Sequence, residues 1–244
     1  MLRISRHLSI HGPAMIPLKD DNPTSITPLV SWSVMGICVL VFLWQVSLDP
    51  RAGQEAVYAL GVIPAVLLEG ARLPPEIALV SPEITIFTSM FMHGGWFHLI
   101  GNMLYLWIFS DNVEDSMGHV RFVIFYLLCG VVAVFAQALP DPHSTIPMIG
   151  ASGAISGVLG AYLLLFPHAR VVVLIPLGVF SQLVRMPAGA VLLIWFGLQL
   201  LQSAMTPKGA AGVAFGAHIG GFVAGMALVP VFKKRGARLF RPGR

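Results

Sequence analysis

Six apolar stretches dominate this chain, and all of them come close to the length that crosses a lipid bilayer as a helix. Such a helix needs about 20 predominantly apolar residues. The stretches lie at residues 29–48, 96–110, 122–139, 148–166, 186–203 and 212–232. Hydrophobic residues make up 56% of the 244 residues and charged residues only 11%, which excludes an ordinary water-soluble domain. The sequence therefore predicts an all-α polytopic membrane protein with a bundle of six transmembrane helices.

The segments outside these stretches define the expected domain organisation. Residues 48–94 place several charged side chains among short apolar runs, so we expect a long, partly membrane-embedded loop there. Residues 171–180 are apolar but too short to cross the bilayer, and they contain Pro176 and Gly178, so we expect a second loop. The expected domains are a cytoplasmic N-terminal tail at 1–28, a membrane domain at 29–232 and a basic cytoplasmic C-terminal tail at 233–244.

The basic residues predict the orientation of the bundle. Six spans put both ends on one side of the membrane, and Lys and Arg favour the cytoplasmic side. Of the 15 Lys and Arg residues, only Arg51, Arg72 and Lys208 fall on the opposite side. Both termini are therefore expected in the cytoplasm, where the basic tail lies beside anionic lipid and no nucleic acid is needed as a partner. A six-helix chain without a large soluble domain suggests the cell membrane of a bacterium, that is, its inner membrane.

This orientation brings four unusual polar residues to a similar depth. The second, fourth and sixth stretches run from the outer to the inner face, and their first turns contain His98, Asn102, Ser152 and His218. At about 1.5 Å of rise per residue, these residues lie roughly 3 to 9 Å from the start of each stretch. His93 lies just before the second stretch. Any one of them is explained by a hydrogen bond between packed helices, but an ionisable residue in the membrane is a functional candidate.

Ser152 has two interpretations. Two rows of small residues suit close helix packing: Ser152, Ser156 and Gly160, and Gly153 with Gly157. The second interpretation follows from Pro147 and the prolines before it, which delay the start of the helix to residues 148–151. Ser152 then lies in the first turn, where backbone N–H groups lack partners and the helix dipole is positive. That position favours an oxyanion, the species that acyl transfer creates.

His218 is the expected partner of Ser152. It lies among glycines that would let its helix approach a neighbour closely, namely Gly216, Gly220, Gly221 and Gly225. The helix of Ser152 is itself lined with glycine, so the imidazole is expected within hydrogen-bond reach of the hydroxyl. A neutral imidazole near pH 7 accepts a hydroxyl proton, so the two residues form a candidate nucleophile and base pair.

The acidic residues narrow the chemistry. All 11 Asp and Glu residues fall in predicted tails or loops. We therefore expect neither an intramembrane aspartate pair nor a carboxylate that orients His218, and a Ser-His dyad remains. His93, His98 and His218 are the candidate metal ligands, but the spacing of the first two directs them to different faces of a helix. Neither a metal site nor another cofactor is expected.

Three motifs resemble those of the rhomboid family of intramembrane serine proteases. They are His-Gly-Gly-Trp-Phe-His-Leu-Ile-Gly-Asn at residues 93–102, Gly-Ala-Ser-Gly at 150–153 and Gly-Ala-His-Ile-Gly-Gly at 216–221. The resemblance implies a six-helix core that encloses a short fourth helix, and a water-filled cavity that opens to the outer face. Many members carry Trp-Arg in the first loop, where this chain has Ile84 and Thr85.

The resemblance also implies roles for individual residues. Ser152 would be the nucleophile and His218 the general base, while His98 and Asn102 would join the Ser152 backbone N–H in an oxyanion hole. The expected cavity-lining residues are His93, Gly150 and Gly153. The expected helix-packing residues are Gly157 and Gly221.

The activity that the resemblance implies is the cleavage of transmembrane helices near the outer face, in single-span or multi-span membrane proteins. One alternative is a catalytically inactive rhomboid-like protein that binds or traffics membrane proteins, although such proteins typically lack the serine or the histidine. Another is a small transporter, which would place charges or broken helices near the bilayer midplane. Here the polar residues lie toward one face. The sequence predicts no oligomeric state.

Overall fold

The computed structural model describes residues 15–177, 180–206 and 213–241. Within these ranges the chain is mostly helical. The helices are α1 (Leu29–Ser47), α2 (Pro50–Leu60), α3 (Pro64–Glu69), α4 (Pro82–Thr88), α5 (Trp96–Met117), α6 (His119–Ala138), α7 (Ser152–Leu165), α8 (Ala188–Met205) and α9 (Phe215–Phe232). A 3-10 turn lies at Ser89–Phe91, and the strands are β1 (Ile16–Asp20), β2 (Arg170–Leu177) and β3 (Phe180–Pro187). Gly178, Lys208 and residues 1–14, 212 and 242–244, which the predictions above used, lie outside the described residues.

Within the residues that the structure describes, four helices are long and apolar enough to cross a membrane, namely α1, α6, α8 and α9. Many large apolar side chains on their outer surfaces are exposed, as contact with lipid requires. α5 has 22 residues but carries Asp111, Glu114 and Asp115 in its second half, and α7 has only 14 residues. The chain is a multi-pass membrane protein. By length and composition alone, α5 and α7 are not identified as membrane-spanning helices, whereas the other four are.

α7 is the central helix of the bundle. Its side chains are buried from residue 153 to residue 163, and it contacts α5, α6, α8 and α9. It begins at Ser152, directly after the segment of residues 148–151 in which the sequence predicted a helix start. Ser152 is therefore the first residue of a short helix that its neighbours enclose.

Residues 171–177 and 180 belong to strands, so the prediction of a loop was wrong for the described part of this stretch. β2 pairs antiparallel with β1 on one side and with β3 on the other. The β-branched run of Val171, Val172 and Val173 favours a strand. Pro176 lies beyond the last β1 pair, so its missing N–H costs no bond on that side. The fold is mostly helical rather than all-α, and residues 16–20 of the expected tail belong to this sheet.

A side-chain hydrogen bond ties the sheet to the central helix. The hydroxyl of Tyr162 in α7 donates to Oδ2 of Asp20 in β1 at 2.5 Å. Burial raises the pKa of the Asp20 carboxyl from 3.8 to about 7. The carboxyl is therefore partly protonated at neutral pH, which lowers the cost of burying it beneath α7.

The segment of residues 48–94, expected as a long loop, contains three short helices. The first residue of each of these helices is a proline: Pro50 in α2, Pro64 in α3 and Pro82 in α4. At this position the backbone N–H has no partner within the helix, so a proline costs no hydrogen bond. The side chain of Asp49 caps α2. An isolated β-bridge joins Val62 to Met148, a few residues before α7. The segment is thereby attached to the chain that leads into Ser152.

A buried carboxylate lies within α5, whereas the sequence predicted all carboxylates in tails or loops. Glu114 is 0% exposed. Its oxygens accept hydrogen bonds from the N–H of Val30 at 3.0 Å, from the N–H of Ser31 at 2.8 Å and from the hydroxyl of Ser31 at 2.6 Å. Nδ1 of His119 lies 2.6 Å from the same carboxylate. Glu114 therefore caps the first turn of α1 from a neighbouring helix.

Replacing Glu114 with alanine is expected to destabilise the protein by about 2–4 kcal/mol, because the N–H groups of α1 and the Ser31 hydroxyl lose a buried acceptor. Thermal unfolding of the purified protein in detergent measures the loss. Glu55→Ala is the control, since Glu55 pairs with Arg51 at 2.9 Å on an exposed surface, where such pairs contribute about 1 kcal/mol or less. Equal unfolding temperatures for the two variants would contradict the capping role.

Candidate active site

Ser152 and His218 meet where α7 and α9 begin. Ser152 is the first residue of α7, and His218 lies in the first turn of α9. Oγ of Ser152 is 2.8 Å from Nε2 of His218, which is within the range required of a nucleophile and its base. Both residues line a cavity of about 870 Å³.

Glycine contacts bring the two helices this close. A Cβ on Gly221 would overlap the carbonyl oxygen of Gly153, and a Cβ on Gly225 would overlap the carbonyl oxygen of Gly157. Gly157 and Gly221 therefore lie in the contact between α7 and α9. Gly153 lies there too, and on its other side a Cβ would meet the Cβ of Ala133 at 2.6 Å. These contacts bury Gly153, so it is a packing residue rather than a cavity-lining one.

The second ring nitrogen of His218 is held by α8. Nδ1 of His218 is 2.7 Å from Oε1 of Gln199. An amide oxygen only accepts hydrogen bonds, so Nδ1 of the neutral ring carries the proton. Nε2 is then free to accept the proton of the Ser152 hydroxyl. His218 is thus held in the tautomer that a general base requires.

His98 is held in the opposite tautomer. The backbone N–H of Gly94 donates to Nδ1 of His98 at 3.2 Å, so the proton of the neutral ring lies on Nε2. A Cβ on Gly150 would be 2.7 Å from that Nε2. Gly150 has a φ of 127°, which favours glycine. His98 therefore presents an N–H donor beside the segment that leads into Ser152.

Asn102 adds a second donor one turn further along α5. It is 8% exposed, and its Nδ2 has no hydrogen-bond partner within the described residues. Nδ2 lies 3.8 Å from the position of a Cβ on Gly150, close to the same point as Nε2 of His98. Because a buried amide without a partner costs about 1–3 kcal/mol, this N–H is a candidate donor for a ligand atom in the cavity.

Neither His93 nor Gly150 is among the described residues that line the cavity. The side chain of His93 is 2% exposed, and its ring centroid is 5.1 Å from that of His98. Gln45 of α1 holds the backbone of His93 through hydrogen bonds of 3.0 and 3.2 Å. The expectation that these two residues line the cavity therefore differs from the structure: His93 is buried against His98, and the half-buried Gly150 faces Nε2 of His98.

The groups that converge in the cavity suit acyl transfer. A serine hydroxyl contacts a base, and two N–H donors lie beside the helix N-terminus that carries the serine. The cavity lies among α5, α7, α8 and α9, and its lining also includes Tyr105, Leu159 and Trp195. In the part of the chain that the structure describes, no three His, Cys, Asp or Glu residues form a group that could hold a metal ion.

Two glutamines contribute to the site although they belong to no motif singled out in the sequence. Gln199 holds His218, and Oε1 of Gln137 in α6 accepts a hydrogen bond of 3.2 Å from the N–H of Ala217, in the first turn of α9. The signal available in the sequence is a polar amide in an apolar helix. Gln199 continues an apolar stripe at helical spacing, formed by Val191, Leu192, Trp195 and Phe196.

Comparison with known proteins identifies a family for these motifs. The family model described as Rhomboid domain matches residues 83–235, which is more than half of the chain. The motifs at 93–102, 150–153 and 216–221 lie within this match. Rhomboid protein 1, mitochondrial, of Saccharomyces cerevisiae is 34% identical over 100 residues, which cover 39% of this chain and 29% of the relative.

Two further relatives come from other eukaryotes. Presenilin-associated rhomboid-like protein, mitochondrial, of Homo sapiens is 30% identical over 165 residues, covering 66% of this chain and 38% of the relative. RHOMBOID-like protein 5 of Arabidopsis thaliana is 32% identical over 78 residues, covering 32% of this chain and 25% of the relative. The chain matches less than two fifths of the length of each of these relatives.

Proposed function

Because the chain belongs to the rhomboid family, we propose that it is an intramembrane serine endopeptidase in which Ser152 is the nucleophile and His218 the general base. The observation that carries this proposal is the 2.8 Å hydrogen bond between Oγ of Ser152 and Nε2 of His218, inside a cavity among apolar helices. A hydroxyl that contacts a free imidazole nitrogen is activated for attack on a carbonyl. The reaction needs no cofactor.

The reaction proceeds in two acyl-transfer steps. Oγ of Ser152 attacks the scissile carbonyl carbon while its proton moves to Nε2 of His218. The tetrahedral intermediate collapses as His218 gives this proton to the nitrogen of the leaving amine, which leaves an acyl group on Ser152. A water molecule then attacks the acyl carbon with His218 again as the base, and Ser152 regains its proton as the second product leaves.

The oxyanion of the tetrahedral intermediate is stabilised by the N–H donors that converge beside Gly150. His98 offers the proton on Nε2, which its bond with Gly94 favours, and Asn102 offers an amide without another partner among the described residues. The first-turn N–H of Ser152 adds the positive end of the α7 dipole. Donors that are already held in place stabilise developing charge without reorganisation.

The substrates are single-span or multi-span membrane proteins. A helical backbone keeps its carbonyls in hydrogen bonds, so the segment to be cut must unwind before Ser152 can reach it. The active residues lie at the first turns of α7 and α9, near one end of the bundle. Cleavage therefore occurs toward one face of the membrane, near the end of a substrate helix.

The proposal includes the topology. α5 and α7 cross the membrane together with α1, α6, α8 and α9, which gives six spans with both termini in the cytoplasm. The ends of α7 and α9 support this arrangement, because the N–H of Phe240 donates to the carbonyl of Leu164 at 2.7 Å and basic residues gather at that end. The cell membrane of a bacterium is the proposed location, and the names of the mitochondrial relatives suggest a mitochondrial membrane as the alternative.

A charged fluorophosphonate probe tests function and orientation together, because it labels activated serines and does not cross membranes. In sealed vesicles with the periplasmic face outward, wild type is expected to be labelled and Ser152→Ala to be unlabelled. Ser156→Ala is the control: Oγ of Ser156 donates to the backbone oxygen of Ser152 at 2.6 Å instead of contacting a base, so labelling should persist. Two results would favour the inactive alternative. One is equal labelling of wild type and Ser152→Ala. The other is a folded wild type that stays unlabelled even after detergent has opened the vesicles.

A further inference from the structure

Gln199 lies one turn beyond an apolar contact between α8 and α9. Phe196 stacks on Phe222 with ring centroids 4.4 Å apart, and the ring of Trp195 is 5.9 Å from that of His218. Gln199 itself is 8% exposed. These packed rings hold the amide of Gln199 against the imidazole, so their 2.7 Å hydrogen bond belongs to the buried contact between the two helices.

This hydrogen bond decides which ring nitrogen can accept a proton from Ser152. A neutral imidazole carries its proton on Nδ1 or on Nε2, and only the Nδ1 form leaves Nε2 as an acceptor. With Oε1 of Gln199 beside it, the Nδ1 form of His218 gains a hydrogen bond. With the amide in this orientation, the Nε2 form would instead set two acceptors, Nδ1 and Oε1, against each other. In a low-dielectric interior this difference is larger than in water.

We propose that Gln199 is a positioning residue for the proton transfer between Ser152 and His218: it selects the Nδ1-protonated tautomer of His218 and holds the ring while Nε2 takes and returns the serine proton. The inference rests on the proposed function and deepens it. In Ser-His-Asp enzymes a carboxylate occupies this position. Here a neutral amide does so, at a lower cost of burial among membrane helices.

If Gln199 acts on the proton transfer, the lack of charge on its amide affects how easily His218 is protonated. A residue that only packs the two helices together would have no such effect. When His218 takes the serine proton it becomes an imidazolium, and an amide oxygen stabilises that cation less than a carboxylate does. A carboxylate in place of the amide would therefore favour protonated His218 already in the free enzyme. Among the described residues that line the cavity, the other titratable side chains are His98 and Tyr105 of α5 and Asp141, and all three stay the same in every variant below.

Three variants on one helix test the proposal. Gln199→Met keeps the length of the side chain but removes the acceptor, and Gln199→Glu keeps an acceptor and adds charge. Gln202→Met is the matched control, because Gln202 lies one turn further along α8 with its side chain exposed. With a membrane-protein substrate, Gln199→Met is expected to lower kcat about 10-fold with KM unchanged. Gln202→Met is expected to leave both constants unchanged.

The pH profile separates positioning from packing. Gln199→Glu is expected to retain activity at alkaline pH while the acidic limb of its kcat/KM profile moves to higher pH than in wild type. A residue that only packs α8 against α9 would leave this limb in place and would change the unfolding temperature instead. If Gln199→Met does not fold, the profile of Gln199→Glu alone decides, and an unmoved acidic limb overturns the proposal.

A readout without turnover distinguishes a failure of this inference from a failure of the proposed function. The ¹⁵N chemical shifts of labelled histidine show which ring nitrogen carries the proton, and a His218→Ala sample assigns the signal among the 8 histidines. Wild type and Gln202→Met are expected to hold the proton on Nδ1, and Gln199→Met to lose that preference. A wild type protonated on Nε2, or equal spectra and equal kcat for Gln199→Met and Gln202→Met, would overturn the positioning role even if the fluorophosphonate labels Ser152.

Discussion

Replacing His218 with alanine is expected to lower kcat/KM for a membrane-protein substrate by roughly 10⁴-fold or more, the range seen when a serine hydrolase loses its base. Without the imidazole at 2.8 Å, the hydroxyl of Ser152 must lose its proton to water within an apolar bundle. Labelling of Ser152 by a fluorophosphonate should decrease together with kcat/KM. The measurement is the initial rate of cleavage of a reconstituted substrate, with thermal unfolding as a check on folding.

The control for this variant is His168→Ala. His168 is exposed between α7 and β2, at the opposite end of α7 from Ser152, so its loss should leave the rate within about 2-fold. The double variant of Ser152 and His218 should be no slower than either single variant, because residues that act as one unit are not additive. A rate for His218→Ala within about 10-fold of wild type would remove His218 from the mechanism.

Replacing Gly225 with alanine is expected to destabilise the protein by about 1–3 kcal/mol and to lower activity strongly. The added Cβ would overlap the backbone carbonyl of Gly157, and a backbone cannot turn aside as a flexible side chain does. α7 and α9 must then separate. Because Ser152 and His218 lie on these same two helices, a shift of about 1 Å is enough to weaken their hydrogen bond. Thermal unfolding and kcat/KM measure the two effects.

Gly36→Ala is the matched control for the helix contact. Gly36 lies within α1, and a Cβ added there meets no atom within 4 Å. Its replacement by alanine should stabilise the helix by up to about 1 kcal/mol through backbone entropy. The two substitutions are chemically identical, so opposite signs isolate the effect of the contact. If Gly225→Ala is as stable and as active as Gly36→Ala, the close approach of α7 and α9 does not hold the site together.

The membrane class and the family were predictable because their signals are local. Exposing a long apolar stretch to water is unfavourable in free energy wherever the stretch lies in the chain. The number and length of these stretches therefore predict a multi-pass membrane protein. The family was recognised from motifs around His98, Ser152 and His218, and the matched domain over residues 83–235 confirms it. The start of α7 was also nearly predictable, because Pro147 restricts the backbone before it.

The sheet and the buried carboxylate were not predictable in the same way. Residues 171–177 are apolar and contain Pro176, and only pairing with β1 and β3 makes them a strand. β1 lies far earlier in the chain and strand formation depends on such partners, so no short pattern predicts the sheet. Glu114 looked like a loop residue because a charge usually ends an apolar stretch. Its burial is tolerated since Val30 and Ser31 supply donors from a helix more than 80 residues earlier in the chain.

The sequence by itself determined that this chain crosses a membrane several times, that it belongs to the rhomboid family, and that a serine and a histidine are its candidate catalytic residues. These conclusions depend on composition and on short motifs, which act locally. Only the tertiary structure decided that Ser152 and His218 lie 2.8 Å apart and that Gln199 holds the second nitrogen of the ring. Those bonds join helices that are separate in the sequence, so their geometry depends on packing between glycine-lined surfaces rather than on any local pattern.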